Sequence, residues 1–337
     1  MGPTTEILIG TGVRAELRPH VEALGADRSV VALLDDPVAA AYPDLVPEGW
    51  RRIPLPGGES CKSFATLEKV LRQMTQWELD RKTIVVAIGG GAVGDLGGLA
   101  ASMFLRGVDL IQVPTTLLAM LDSSVGGKTA INVPEGKNLV GTFHPAHLML
   151  ADLDFTASLP REQLLSGLGE ALKMGIGFST ELFELLESES VSITSGDPQL
   201  LTRVVQMCVD EKQKTVEADP HETTGRRRCL NLGHTLAHAL EAMSDYTMPH
   251  GHAVAQGLYF ILDVAVATNT LAKDDADRCS RLLDLYGFTR QPTPPRSELL
   301  VFFSHDKKME SGMLHVVLPT AIGSCETRPM APDAVCG

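Results

Sequence analysis

The sequence predicts an α/β protein of two domains, with an α/β domain over residues 1–150 and a mainly α-helical domain over residues 151–337. Three observations predict this organisation. Apolar, β-branched runs alternate with helical periodicity at the start of the chain, and helical periodicity dominates after about residue 155. The length of 337 residues is enough for about two domains of roughly 150 residues each.

The elements of the first domain begin with short apolar runs that predict strands at 29–35, 83–88 and 109–113. A parallel strand that is covered on both faces has this near-continuous apolar character. Helical periodicity over 65–79, and again after Gly91, places helices between the strands. In the second domain the same periodicity predicts helices over 161–188, 198–217, 231–244, 251–272 and 274–287.

Composition and charge restrict the partners of the chain. The 29 basic and 42 acidic residues leave a net charge of −13, which disfavours nucleic acid or an anionic membrane as a partner. The six cysteines are scattered without a CxxC pair, and the N-terminus lacks the basic and apolar regions of a secretory signal. No apolar run approaches the roughly 18 residues of a membrane span. We therefore expect a cytoplasmic protein.

A glycine-rich segment, GGGAVGD, begins at Gly89 after a predicted strand and satisfies the pattern GxGxxG. In nucleotide-binding folds such glycines bring backbone amides at a helix N-terminus close to a pyrophosphate. The same pattern is also typical of a plain tight turn between a strand and a helix. Asp35, at the end of an earlier strand, favours nucleotide binding because a carboxylate there accepts ribose hydroxyls. Gly57-Gly58-Glu59, with Lys62, adds a polar loop at another strand end.

Two further loops carry groups suited to an anion. The pair Thr115-Thr116 follows the third predicted strand, and the segment DSSVGGKT begins at Asp122. This segment is not a P-loop, because Asp122 occupies the place of the first glycine in GxxxxGK[ST]. Its run of small residues up to Lys128, followed by Lys137-Asn138, predicts either an anion cradle or a solvated loop.

A charged pair lies in the otherwise apolar segment GLGEALKMGIG. Glu170 and Lys173 are three residues apart there, so they share one helix face. Small apolar neighbours make a solvent-exposed ion pair unfavourable at this place. We expect the pair to face a functional site.

Four histidines follow in two groups, His234 with His238 and His250 with His252. Imidazoles one helical turn apart, joined by a carboxylate, are typical ligands of Zn²⁺. Glu170, His234 and His250 therefore form a candidate metal site. The spacing alone leaves open which of the four histidines bind, and HxxxH pairs also occur on solvated helix faces.

Basic residues concentrate before the histidine-rich helix, at Lys212, Lys214 and 226–228. Such a run is usually a solvated face. Next to candidate metal ligands in an acidic chain, it is also suited to bind a carboxylate or a phosphate. The segment Asp306-Lys307-Lys308 is a similar but weaker case.

Taken together, these motifs resemble the 3-dehydroquinate synthase family of the sugar phosphate cyclase superfamily. The matching segments lie in family order between residues 57 and 308, and the DSSVGGKTAIN and GHTLAHA blocks are highly specific for the superfamily. The segments are GGGAVGDLGG, FLRGVDLIQVPTTLLAMLDSSVGGKTAIN, GKNLVG, GLGEALKMG, LNLGHTLAHALE, HGHAVAQG and DKK.

The resemblance implies a Rossmann-like N-terminal domain that holds NAD⁺, a helical C-terminal domain that binds one divalent metal, Zn²⁺ or Co²⁺, and a homodimer. The positions that match the family's metal ligands are Glu170, His234 and His250. Those that match its NAD⁺ contacts are Asp35, Glu59, Lys62, Gly90, Gly91, Asp95, Thr115, Thr116, Lys137 and Phe155.

The family reaction cyclises a phosphorylated sugar acid, 3-deoxy-D-arabino-heptulosonate 7-phosphate, to 3-dehydroquinate. It proceeds by transient oxidation with NAD⁺, β-elimination of phosphate, re-reduction and an intramolecular aldol step, so the net reaction is that of a lyase. The positions that match substrate contacts are Arg106 (from a neighbouring subunit), Asn138, Lys212, Arg227, Asn231 and Lys307. Those that match catalytic positions are Asp122, Lys128, Lys173, Glu222 and His238.

The sequence departs from the family pattern at three places. His252 stands where the family has Glu, His144-Pro145 shifts a proline by one residue, and residues 219–222 replace the usual DERE. These departures leave the substrate open between dehydroquinate synthase and another cyclase, either an aminodehydroquinate synthase or a valiolone-type cyclase. A metal-dependent polyol dehydrogenase and a non-catalytic paralogue are alternatives from other classes. The dehydrogenase would need neither a phosphate-binding Lys128 nor the carboxylate pair of Lys212 and Arg227.

Overall fold

The computed structural model describes residues 5–219, 225–304, 309–310 and 312–336. The chain forms two compact units, Met1–Leu159 and Pro160–Gly337. The first unit continues beyond residue 150 because its sheet includes a strand at Leu148–Asp152. The ring of Phe155, just after this strand, then packs edge-on against Tyr42 at 5.1 Å between centroids. Among the described residues, no helix combines the length and the apolar character needed to cross a bilayer.

The first unit is built on a parallel sheet with the strand order β1-β8-β5-β4-β2-β3. The strands are β1 (Glu6–Gly10), β2 (Val30–Asp35), β3 (Arg51–Leu55), β4 (Ile84–Gly89), β5 (Asp109–Pro114), β6 (Lys128–Val133), β7 (Gly136–Phe143) and β8 (Leu148–Asp152). The helices are α1 (Leu17–Ala23), α2 (Asp36–Ala41), α3 (Phe64–Gln76) and α4 (Gly91–Met103). Every residue of β2 and β4 is buried, which confirms the prediction of strands from apolar runs.

Helix α4 lies very close to the sheet because it is rich in glycine. A Cβ atom on Gly97 would lie 2.7 Å from the Cβ of Ala87 on β4, and one on Gly94 would lie 2.8 Å from Oε1 of Gln112 on β5. Such distances leave no room for a side chain. The close packing carries the first turn of α4 to the carboxyl ends of β4 and β5.

A β-hairpin of β6 and β7 packs on α4 and was not predicted. Its strands are antiparallel, with Lys128 opposite Phe143. Thr142 Oγ1 donates a hydrogen bond to Ser102 Oγ of α4 at 2.9 Å, and Asn132 N–H donates one to the Lys62 carbonyl oxygen at 2.8 Å. The hairpin therefore joins the DSSVGGKT segment to the loop that carries Lys62.

The second unit is mainly helical, as predicted. Its elements are α5 (Arg161–Phe178), α6 (Thr180–Ser188), α7 (Ser190–Thr194), α8 (Pro198–Ala218), α9 (His234–Met243), α10 (His250–Ala267), α11 (Lys273–Leu285), α12 (Arg296–Ser304), β9 (Met309–Glu310), β10 (Met313–Ala321), β11 (Ser324–Met330) and α13 (Pro332–Val335). The antiparallel sheet β11-β10-β9 was not predicted. The predicted helix over 161–188 is two helices, divided at Ser179, which caps α6 by accepting a hydrogen bond from the Leu182 amide.

Helices α5, α9 and α10 meet through glycines. A Cβ atom on Gly169 would collide with the backbone of Gly251, and one on Gly257 would collide with the carbonyl of Gly233. Glycine at these places lets the backbones approach more closely than any side chain would allow. This approach brings together the three side chains of the metal site described next.

Candidate metal and nucleotide sites

Glu170, His234 and His250 converge in the second unit, each from a different helix. Glu170 lies in the middle of α5, and the two histidines are the first residues of α9 and α10. One ligand atom from each residue lies within 4.8 Å of the other two. Glu170 Oε1 is 3.1 Å from His250 Nε2 and 3.4 Å from His234 Nε2. One carboxylate and two imidazoles in this arrangement fit a divalent metal that keeps a further coordination position open.

Lys173 lies one turn after Glu170 and is paired with it. Nζ of Lys173 is 2.5 Å from Oε2 of Glu170, and each residue is 1% exposed. Burial raises the pKa of the Glu170 carboxyl, but Lys173, His234 and His250 outweigh burial and hold that pKa well below its usual range. The site therefore presents an ionised carboxylate next to a buried ammonium.

Hydrogen bonds orient the two imidazoles of the site. His234 Nδ1 lies 3.0 Å from the Leu232 carbonyl oxygen, so Nδ1–H donates there and Nε2 faces Glu170. Burial lowers the pKa of His234 well below its usual value, which favours the neutral ring that a metal needs. Burial also acts against protonation of His250, but hydrogen bonds to Glu170 and Glu241 raise its pKa to about 10 in the metal-free chain.

Glu241 is a residue of this site that the sequence prediction missed. Its Oε1 lies 3.3 Å from His250 Nδ1, and the residue is 5% exposed. A carboxylate in this position fixes the orientation of a metal-binding imidazole. The sequence does carry a signal for it, because Glu241 is an acidic residue in an otherwise apolar helix, seven positions after His234.

The other two histidines lie outside this group. The exposed ring of His238 stacks edge-on against His234, with 5.3 Å between centroids. The ring of His252 lies 5.3 Å from Phe288, and its buried Nδ1 has no hydrogen-bond partner among the described residues. Of the histidines that the sequence left open, the structure thus groups His234 and His250 with Glu170.

The basic residues near this site divide into buried and exposed members. Lys212 is 7% exposed and Arg227 is 3% exposed, whereas Lys214 faces solvent and pairs with Glu211 at 2.7 Å. Arg227 begins a 3₁₀ helix, Arg227–Asn231, and its backbone N–H donates to Asp219 Oδ2 at 3.1 Å. Two predicted site residues, Glu222 and Lys307, lie outside the described residues.

In the first unit, Asp35 ends β2 beside the glycine-rich turn that follows β4. Its Oδ1 is buried and has no hydrogen-bond partner among the described residues. Burial raises the pKa of Asp35, and a hydrogen bond from the Gly90 backbone opposes only part of that rise. A Cβ on Gly57 would lie 2.9 Å from this Oδ1, so glycine keeps the space open. An unpaired buried carboxylate oxygen fits the hydroxyls of a ribose.

The first turn of α4 supplies donors for a phosphate. The N-cap residue of α4 is Gly90, which has no side chain to cap the first backbone amides of the helix. These amides are therefore suited to bind a phosphate. A Cβ on Gly91 would lie 2.7 Å from Ser123 Oγ, and one on Gly90 would lie 3.2 Å from Thr116 Cγ2. Thr115 N–H donates to the Gly89 carbonyl at 3.0 Å, which holds the two loops together. The residues present therefore fit a dinucleotide.

A polar cluster surrounds the buried Lys62. Its Nζ lies 2.6 Å from Asp95 Oδ2 and 2.5 Å from Asn138 Oδ1, and Lys62 is 3% exposed. Glu59 Oε2 accepts a hydrogen bond from Asn132 Nδ2 at 2.8 Å. Asn138 was matched to the substrate and Lys62 to NAD⁺, but the structure joins them in one cluster. Asn138 has a φ of 56°, a left-handed conformation that Asn tolerates well.

The remaining predicted residues of the first unit occupy varied surroundings. The ring of Phe155 is 1% exposed and packs against Tyr42. Asp122 lies in a π-helical turn over Ala119–Ser123, and Lys128 is exposed at the start of β6. Lys137 is the second residue of β7 and is partly exposed. Arg106 is exposed, with a φ of 70°.

Comparison with known proteins gives consistent results. The chain matches two family descriptions, 3-dehydroquinate synthase N-terminal over residues 52–166 and 3-dehydroquinate synthase C-terminal over residues 167–309. It is 40% identical to a 3-dehydroquinate synthase of Pelobacter propionicus, covering 95% of this chain and 91% of that protein. It is 42% identical to one of Rhodospirillum rubrum, covering 88% and 79%.

Solved structures of cyclases share the fold. A 2-epi-5-epi-valiolone synthase from Streptomyces hygroscopicus subsp. jinggangensis, with NAD⁺ and Zn²⁺ bound, superposes with a TM-score of 0.89 at 25% identity, covering 99% of this chain and 95% of that one. A 2-deoxy-scyllo-inosose synthase, complexed with carbaglucose-6-phosphate, NAD⁺ and Co²⁺, gives 0.86 at 25% identity, covering 98% and 95%. Family matches across both units and full-length relatives above 30% identity lead to one conclusion: the chain belongs to the 3-dehydroquinate synthase family.

Proposed function

We propose that the chain is a 3-dehydroquinate synthase, a lyase that cyclises 3-deoxy-D-arabino-heptulosonate 7-phosphate to 3-dehydroquinate and releases phosphate. The observation that carries this proposal is the group of Glu170, His234 and His250 beside the buried Lys173. It occurs in a chain that is 36% to 42% identical to relatives of that name.

The proposed cofactors are NAD⁺ and one divalent cation, Zn²⁺ or Co²⁺. The cation would be held by Glu170, His234 and His250. NAD⁺ would be held by Asp35, Glu59, Lys62, Gly90, Gly91, Asp95, Thr115, Thr116, Lys137 and Phe155. When bound, NAD⁺ supplies a reversible hydride acceptor and the cation supplies a Lewis acid at a substrate hydroxyl. Both cofactors are named in the two solved cyclase structures described above.

Lys173 is proposed to act on the substrate directly. Its ammonium is held by Glu170 in a buried place, so it can donate a hydrogen bond to a substrate hydroxyl and stabilise negative charge that develops there. His238 is exposed and is proposed to transfer protons together with Glu222. Asp122 and Lys128 are proposed to complete the catalytic set.

Substrate recognition is assigned to the cationic and amide side chains. Lys212 and Arg227 are proposed to bind the substrate carboxylate, and their burial supports this because charge attraction is stronger where water is excluded. The phosphate is assigned to Asn138, Lys307 and Arg106, and hydroxyls to Asn231.

We also propose a homodimer in the cytoplasm. Strand β7 exposes Leu139 (44%), Val140 (36%) and Phe143 (52%), and the adjacent end of α4 exposes Met103 (51%). Large exposed apolar side chains on neighbouring elements are typical of a protein interface. Arg106 follows Met103 closely in the sequence and is suited to reach a second copy. The cytoplasm is supported by the six cysteines, which all lie in the described part of the chain as free thiols.

The decisive experiment is incubation with 3-deoxy-D-arabino-heptulosonate 7-phosphate, NAD⁺ and Zn²⁺ or Co²⁺, with assay of phosphate and 3-dehydroquinate. We expect both products in equal amounts and no accumulation of NADH. Phosphate release from sedoheptulose 7-phosphate instead would assign the chain to the valiolone branch. NADH formed in step with product would identify a polyol dehydrogenase.

A further inference from the structure

Two of the six cysteines, Cys229 and Cys325, are neighbours in the second unit. Cys229 lies in the middle of the 3₁₀ helix Arg227–Asn231, and Cys325 lies on β11. Cys229 Sγ is 4.0 Å from the Cys325 carbonyl oxygen and 3.7 Å from Thr327 Oγ1. Residues two apart in a strand project from the same face, so Cys229 rests on the face that carries Cys325.

The pair has the properties of a reactive thiol and its resolving partner. Both residues are half-buried, so a small oxidant can reach them. The hydrogen bond from Cys325 lowers the pKa of Cys229 to about 6, with further help from Thr327 and Arg226, and the same bond raises the pKa of Cys325. Cys61 and Cys279 contrast with this pair, because burial raises the pKa of each to about 12. Thiolate character and access together select a cysteine for oxidation.

We propose that Cys229 and Cys325 form a peroxide-reactive dithiol that closes to a disulfide and ties the 3₁₀ helix Arg227–Asn231 to strand β11. The Cys229 thiolate attacks one oxygen of hydrogen peroxide, the O–O bond breaks, and a sulfenic acid and hydroxide form. The Cys325 sulfur then attacks the Cys229 sulfur, the S–O bond breaks, and the second hydroxide leaves. Two thiols lose two electrons and two protons, and the peroxide is reduced to two molecules of water.

The disulfide would act on the residues that flank Cys229. Arg227 and Asn231 lie two positions before and two positions after it, and both were matched to substrate contacts. A covalent tie to β11 limits the adjustment of this short helix around a substrate. The effect on activity rests on the proposed function, and we expect kcat/KM to fall by at least about 10-fold, since small displacements of binding groups have large effects on rate.

The test uses the full chain loaded with NAD⁺ and Zn²⁺. It is treated with hydrogen peroxide, its remaining free thiols are alkylated, and its peptides are separated without reductant and identified by mass spectrometry. We expect a Cys229–Cys325 cross-linked peptide that dithiothreitol separates. The matched control is Cys336→Ser, which removes another half-buried thiol whose pKa burial raises, and it should cross-link like the unmodified chain. Alkylation of both Cys229 and Cys325 after peroxide treatment would overturn the proposal.

Activity provides a second readout that separates the two proposals. We expect a loss reversed by dithiothreitol in the unmodified chain and in Cys336→Ser, and resistance to peroxide in Cys325→Ser. An equal loss in Cys325→Ser would overturn the effect on activity. A cross-link in a chain without synthase activity would reject the proposed function and leave the dithiol standing. Synthase activity without a cross-link would reject the dithiol and leave the proposed function standing.

Discussion

Lys173 and Glu170 form a fully buried ion pair one turn apart on α5, with 2.5 Å between Nζ and Oε2. Small residues around the pair, such as Gly169 and Ala171, bring neighbouring backbones close and exclude water from it. Removing the Lys173 ammonium leaves the buried Glu170 carboxylate with only the neighbouring imidazoles to compensate its charge. The stability lost on replacing Lys173 should therefore depend on whether a metal ion is bound at the site.

The first prediction concerns Lys173→Met, which keeps the volume of the side chain and removes its charge. We expect turnover to fall by at least about 100-fold. In metal-free chain we expect a loss of about 3 kcal/mol in the free energy of unfolding, because Glu170 keeps its charge in a buried place. With Zn²⁺ bound the loss should be smaller, since the cation compensates Glu170.

Urea unfolding with a chelator and with Zn²⁺ measures both values for Lys173→Met. The control is Lys214→Met, which removes an exposed lysine paired with Glu211 and should change stability little. Equal losses for Lys173→Met with and without the metal would contradict this account.

The second prediction separates the histidines. His250→Ala should weaken Zn²⁺ binding by about 100-fold or more, because it removes one of the three proposed ligands. His238→Ala should retain the metal, because His238 lies outside the ligand group. Metal content after gel filtration and competition with a chromogenic chelator measure the difference. Retention of Zn²⁺ by His250→Ala, together with its loss from His238→Ala, would assign the site to the HxxxH pair instead.

The third prediction tests Glu241 as the residue that orients His250. Glu241→Gln should weaken metal binding by about 10- to 100-fold while leaving the three ligands in place. Zn²⁺ titration by calorimetry measures the change, and Glu184→Gln on α6 is a suitable control at a solvent-facing carboxylate. Unchanged affinity in Glu241→Gln would show that the 3.3 Å contact with His250 Nδ1 has no part in binding.

The fourth prediction concerns Asp35 and pH. Burial raises the pKa of Asp35 in the folded chain above its unfolded value of 3.8, so the ionised carboxylate destabilises the folded state. This penalty is absent below pH 3.8, grows as pH rises from there to the folded pKa, and is constant above it. Asp35→Asn removes this penalty, so we expect a higher melting temperature of the ligand-free chain at pH 7. The variant should also bind NAD⁺ more weakly.

Differential scanning fluorimetry between pH 5 and 8, with and without NAD⁺, checks both parts of the Asp35 prediction. Asp36→Asn, at the exposed neighbouring position, is the matched control and should leave NAD⁺ affinity unchanged. A lower melting temperature for ligand-free Asp35→Asn at pH 7 would contradict the stated sign.

The fifth prediction uses the close approach between α4 and the turn at Ser123. Gly91→Ala should destabilise the chain by about 1–3 kcal/mol, because the new Cβ would lie 2.7 Å from Ser123 Oγ. The double variant with Ser123→Ala should recover most of that loss, since the nearest remaining atom, Ser123 Cβ, is 3.4 Å away. Thermal unfolding of the two single variants and the double variant completes the cycle. Additive losses would mean that the two side chains do not interact.

Local sequence patterns predicted most of the helices and strands. The run at 83–88 became β4 (Ile84–Gly89), and the periodicity over 198–217 became α8 (Pro198–Ala218). Such patterns depend on neighbouring residues along the chain, so they are visible without a structure. The β6–β7 hairpin and the β10–β11 pair were missed, because one strand of each pair, β7 or β11, does not show the apolar alternation of a half-buried strand.

Local patterns along the chain are sufficient for the α/β and helical organisation, for the glycine-rich turn after a buried strand, and for Glu170 and Lys173 on one helix face. The grouping of His234 and His250 with Glu170, rather than His238 or His252, and the contact of Glu241 with His250 are visible in the folded chain alone. They depend on how closely α5, α9 and α10 approach one another. That approach is set by glycine contacts between residues as distant in sequence as Gly169 and Gly251.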